Sequence, residues 1–152
     1  MTTFTKWFLL VAVTGTALFF AEMKGAFSLI IQNDKSYLAL LIMTLFAGMT
    51  FRVGQLCFLA DVAKDKEKDV LSKKAELGWF TAEHFFSFGL LGTIIGLVLA
   101  TGGSLDGSNP VSEIVAGLKT GLNTAFYTTI CGIVFSILLQ LQLLILQNGI
   151  RK

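Results

Sequence analysis

GLLGTIIGLVLA, residues 89–100, lies within a long apolar run and yet carries three glycines and a threonine. A helix of membrane length gives up side chain at Gly89, Gly92 and Gly96, each at a cost of roughly 1 kcal/mol against alanine, and sets the hydroxyl of Thr93 beside them. Spacings of three and four put the glycines on one face, and Gly92 to Gly96 is a GxxxG pair. In lipid, where apolar burial gives helices no reason to associate, a face of small residues lets a second backbone come close. The reading turns on which backbone that is.

The chain around this stretch has 152 residues, 54% of them hydrophobic and only 14% charged, with a single proline. That is too apolar for a soluble domain of this size, so it reads as an integral membrane protein. Five acids and five lysines crowd between Asp61 and Glu76, while 85–101 and 120–150 carry no charge, the segregation that hydrocarbon demands. A net charge of +2, with lysines interleaved among acids, lacks the basic stripe of a nucleic-acid binder. Cys57 and Cys131 fall in different apolar runs without CxxC or histidine spacing, so neither a metal nor a redox role is assigned to them. No cofactor is expected.

Apolar runs predict an all-α, four-span protein in one membrane domain, 1–152, with helices at about 7–31, 37–60, 79–101 and 114–148. The first run could pass for a signal peptide, but three more follow and no small-x-small site ends it, so it reads as a retained span. Glu22 and Lys24 interrupt it. Arg52 sits late in the second run, where a long side chain can snorkel to the interface. Lysines fill the linker 61–78 and Arg151 and Lys152 follow the last span, whereas 102–118 has neither lysine nor arginine; both chain ends are therefore expected in the cytoplasm. Acid and lysine at helical spacings, as in Asp69 and Lys73, predict that the linker continues the second helix into the cytoplasm. The last run, roughly 50 Å at the helical rise, should likewise project there with Gln140, Gln142 and Gln147. Turn residues in TGGSLDGSNPVSE, 101–113, make 102–113 a short outer loop and the last two spans antiparallel neighbours.

Those two spans carry the candidate site. Gly121, Ala125 and Gly132 make a second small face on the fourth span, matching Gly89, Gly92 and Gly96 on the third. Packing alone explains the glycines but not the hydroxyls. Thr120, Thr124 and Thr128 recur every four residues, with Asn123 and Thr129 beside them. Thr93 lies nine residues beyond His84, and Thr129 ten beyond Lys119; antiparallel helices bring Thr93 and Thr128/Thr129 to one level, roughly 12 to 15 Å inside by the helical rise. Several copies would then form a ring of hydroxyls. Neither span has an ionisable side chain at that depth, so a proton carrier must come from a partner or the ion is another cation. Glu83 and His84 stand at the inner mouth as a relay or as plain interfacial anchors.

GLLGTIIGL at 89–97 and LNTAFYTTICGI at 122–133, in order and joined by a short outer loop, resemble the pore-helix motifs of the MotA/TolQ/ExbB ion-channel family. The resemblance covers the last 75 or so residues; the first two spans match in layout only. It implies a homopentamer whose last two helices line a central pore around a dimeric single-span partner similar to MotB, TolR or ExbD, each copy bearing an essential aspartate. Ion flow, of H+ on family frequency rather than Na+, would turn the pentamer about the dimer in a bacterial inner membrane. Such a protein is a motor subunit, not an enzyme. Carried over by position, Thr93 and Thr129 match the family's pore-facing threonines and Thr128 precedes the latter. Three departures stand out. The ExbB branch's glutamate, five residues before the second threonine, is Thr124 here; Phe86 replaces the proline of flagellar subunits; and their large cytoplasmic domain is absent. The rival reading is a stand-alone, holin-like pore, and a third is a purely structural assembly protein.

Overall fold

The computed structural model describes residues 2–63, 65–102 and 110–151, and among them the chain is helical with no strand. Helices α1 (Thr3–Met23), α2 (Ala26–Asn33), α3 (Leu38–Val62), α4 (Asp65–Gly102) and α5 (Val111–Ile150) follow in order. Thr3–Met23, Leu38–Val62, Glu67–Gly102 and Val111–Ile150 are long and apolar enough to cross a membrane. The seven residues 103–109, most of the expected outer loop, lie outside the described residues.

Two helix boundaries differ from the sequence reading, each for a local reason. The first apolar run is not one span to residue 31. Gly25 takes a left-handed φ of 76°, a conformation glycine adopts without penalty, and its N–H reaches back to Glu22 O at 2.7 Å. The helix ends there and α2 leaves in a new direction, with Glu22 accepting from the Phe27 N–H at 3.1 Å. The charged linker does not continue the second span either. Ala63 turns extended (ψ 141°) and closes α3, so the residues from Asp65 onward form the opening turns of α4. Charge spacing supports a helix in either register and says nothing about which neighbour it joins.

Asp34, which the sequence reading passed over, builds the start of α3. It is buried and accepts from Ser36 N–H (2.9 Å), Ser36 Oγ (2.6 Å) and Ala39 N–H (2.8 Å). These bonds cap orphan donors of the helix and hold Tyr37 at a φ of 58°, a region that non-glycine residues rarely enter.

The bundle is organised around an antiparallel α4/α5 pair. On α4 the residues that face α5 include Gly78, Ala82, Gly89, Gly92, Gly96 and Ala100, met from α5 by Leu143, Ser136, Gly132, Thr128, Ala125 and Gly121 in turn. Steps of three, four and seven keep this seam on one face of each helix. Helix α3 lies over one side of the pair, with Phe46 and Phe135 rings 4.8 Å apart. Helix α1 leans on α3 and α5 from outside and has no fully buried residue.

Gln142 corrects a further expectation. It does not project into water but is 1% exposed, accepting from Trp7 Nε1 at 3.0 Å and donating to Thr50 Oγ1 at 3.2 Å. One amide thereby joins α1, α3 and α5. Gln142→Leu keeps the volume but strands the indole N–H among apolar groups, at about 1 to 3 kcal/mol. Adding Trp7→Phe removes that orphan donor, and thermal unfolding in detergent should show the double variant more stable than Gln142→Leu alone.

Candidate functional site

The second backbone at the glycine face belongs to this same chain. A Cβ on Gly96 would stand 2.5 Å from Gly121 O and 2.6 Å from Ala125 N; one on Gly132 would stand 2.7 Å from Phe85 O and 2.9 Å from the Gly89 Cα. One on Gly121 would collide with Gly96 O, and one on Gly92 with the side chain of Thr128. These glycines are required because α4 and α5 touch backbone to backbone. A partner helix passing along Gly89, Gly92 and Gly96 therefore has no room, because α5 occupies that face.

The threonines divide in two. Thr128 is fully buried over Gly92, its hydroxyl donating to Thr124 O at 2.8 Å or Ala125 O at 3.1 Å. Thr124, also fully buried, bonds to Asn33 O at 2.9 Å and accepts from Lys35 N–H at 3.2 Å. With the Asn123 amide on Asn33 Oδ1 at 3.0 Å, it latches α2 onto α5. Both hydroxyls are engaged inside the chain. The latch was illegible in sequence, because Asn33 and Asn123 are 90 residues apart and neither stands in a motif.

Thr93 and Thr129 are the two that meet. Their Oγ1 atoms are 2.5 Å apart, bridging α4 and α5 at the rim of the seam. Thr93 Oγ1 reaches Gly89 O at 3.2 Å, and Thr129 Oγ1 reaches Ala125 O at 2.8 Å and the same Gly89 O at 3.4 Å. Each hydroxyl has one hydrogen and two lone pairs, so one hydrogen lies between the two oxygens and the other goes to a carbonyl, while lone pairs on both oxygens can still accept. Both residues are half-buried. Around them, at helical spacing, stand the exposed side chains Phe86, Leu90 and Leu97 of α4 and Leu122, Phe126 and Ile133 of α5. The wheel positions of Thr129 and of the α3-facing Phe135 and Gln142 place this strip away from α3. It is an apolar face with one hydroxyl pair at its centre.

Toward the start of α4, about ten residues or 15 Å from Thr93 by the helical rise, Glu83 is exposed and His84 half-buried. The imidazole lies on Phe80 with ring centroids 3.9 Å apart, and its Nδ1 is 2.7 Å from Phe80 O. A carbonyl only accepts, so Nδ1 carries the hydrogen and Nε2 is left as an acceptor. No group of three or more His, Cys, Asp or Glu suited to a metal occurs among the described residues.

This arrangement can accept hydrogen bonds in apolar surroundings, and no carboxylate, lysine or histidine stands at the hydroxyl pair. No curated protein and no solved structure matches the chain. A model of the MotA/TolQ/ExbB proton channel family, however, matches residues 59–152, which take in the end of α3 and all of α4 and α5. With well over half of its length matched, including the helix pair that holds Thr93 and Thr129, this multi-pass membrane chain belongs to the MotA/TolQ/ExbB proton channel family.

Proposed function

We propose that the chain is the ring-forming subunit of an ion-driven rotary complex in a bacterial inner membrane, with both chain ends cytoplasmic and H+ rather than Na+ as the ion. Five copies turn the apolar strip of α4 and α5 toward a common axis, and a dimeric single-span partner of the MotB, TolR or ExbD kind stands within. The observation that carries this reading is the isolation of the Thr93–Thr129 pair on an otherwise apolar, uncovered face. Each hydroxyl has a partner within the chain, but the lone pairs left on the two oxygens can be met only by a donor, so this strip suits a polar visitor better than lipid chains.

The chemistry follows from what α4 and α5 lack. Hydroxyls do not ionise near neutral pH, and 85–101 and 120–150 contain no charged residue, so the proton must ride on a carboxyl brought by the partner. A protonated carboxyl, once neutral, can enter the strip and donate to the free lone pairs of Thr93 or Thr129. Its discharge follows toward Glu83 and His84 at the inner mouth. Thr124 and Thr128 act here by holding the α2/α5 and α4/α5 contacts. Helices α1 and α3 form the lipid-facing outer layer.

The test is stoichiometry together with flux. Co-expression with an aspartate-bearing single-span partner should give a five-to-two complex by native mass measurement, and proton uptake into vesicles only when that partner is present. A chain that conducts alone would overturn this and favour the stand-alone pore.

A further inference from the structure

Helix α1 is tied to the rest of the bundle at both ends. At its start, Asp61 accepts from the N–H groups of Thr3 (2.7 Å) and Phe4 (2.8 Å), and the Trp7 indole rests on Gly54, where a Cβ would collide with the ring. At its other end, the Gly25 elbow leads into α2, whose last residue, Asn33, is bonded to Asn123 and Thr124. Beside these ties the helix borders an open crevice of about 480 Å³ lined by Leu18 of α1, Phe27 of α2 and Met43, Phe46, Ala47 and Thr50 of α3.

The lining of the crevice is almost wholly apolar and its mouth is open to the surroundings of the bundle. Water needs two to four polar partners to stay in a cavity, and the polar side-chain atoms lining this one are already engaged: Thr50 Oγ1 accepts from Gln142, and Trp7 Nε1 donates to it. The crevice lies alongside the span Leu38–Val62, where the surrounding medium is hydrocarbon. Met43, with its flexible thioether, suits an occupant of irregular shape.

We infer that a phospholipid acyl chain resides in this crevice and completes the packing of α1 against α3. The inference requires only that α1 and α3 lie in a bilayer and is independent of the rotary reading. The full chain, reconstituted in phosphatidylethanolamine and phosphatidylglycerol vesicles doped with a phospholipid carrying a photoactivatable diazirine on its acyl chain, would be irradiated and its labelled residues mapped. Label is expected on Leu18, Phe27, Met43 and Phe46 as well as on the outward-facing Leu41 and Leu45, and Ala47→Phe should remove it from the first group alone. Label restricted to Leu41 and Leu45 overturns the inference. So does a copy-to-copy crosslink from a photoactivatable methionine at position 43, because a neighbouring subunit would then fill the space. If Ala47→Phe does not fold, the label map of the unsubstituted chain still decides.

Discussion

Gly96→Ala should unfold the α4/α5 pair at a lower temperature than any other single-methyl addition on α4. The added Cβ would meet Gly121 O and Ala125 N, both backbone atoms of a regular helix, so no side chain can swing aside. Overpacking a core costs roughly 1 to 3 kcal/mol where neighbours can shift; here two helices must part, and about 3 kcal/mol or more is expected. Gly121→Ala should behave alike, since its Cβ would strike Gly96 O. The control is internal. Gly15 in α1 and Gly48 in α3 have nothing within 4 Å of a built Cβ, so alanine there should stabilise by up to about 1 kcal/mol through helix propensity. Thermal unfolding of the detergent-solubilised chain, followed by far-UV circular dichroism, compares the four. If Gly96→Ala melts with Gly15→Ala, the backbone contact does not exist.

The same glycines mark the limit of what sequence reveals. A stripe of small residues announces close approach, and hydropathy with the positions of charge announces membrane-length helices. Neither states whose backbone approaches. The answer lay in a longer pattern: the face from Gly78 to Ala100 on α4 is matched by one from Gly121 to Leu143 on α5, and two such faces joined by a short connection pair with each other. Local polarity misled at Gln142, because a glutamine at the end of an apolar run looks like an exit to water. It is buried because Trp7 and Thr50 arrive from helices over 90 residues away. Asp34 stands in no motif, although the D-x-S spacing that captures Ser36 is a local turn signal. The threonine ladder was visible, but its division was not. A helix turn of 100° per residue separates Thr128 from Thr129, and only the position of α4 decides which one is buried.

Thr93→Val and Thr129→Val should each reduce ion-driven activity of the partner-bearing complex about tenfold. Valine reproduces the shape of threonine and removes the hydroxyl, so packing against the seam is preserved. What disappears is an acceptor for a neutralised carboxyl in apolar surroundings, a bond worth about 1 to 1.5 kcal/mol, and 1.4 kcal/mol is a factor of ten. Because the two hydroxyls are bonded to each other, each removal also disturbs the other. The double variant should therefore fall short of the product of the single losses, as expected for residues in direct contact. Thr93→Ser and Thr129→Ser retain the oxygen and should retain most of the flux. Thr128→Val separates this reading from a general effect of threonine loss: its hydroxyl is bonded only to carbonyls of its own helix, so flux should persist with at most a small change in thermal stability. Proton uptake by vesicles containing the complex, driven by an imposed potential, measures all five variants and the double. Wild-type flux in Thr93→Val and Thr129→Val, or loss of flux in Thr128→Val alone, would move the ion path from the rim of the α4/α5 seam to its interior.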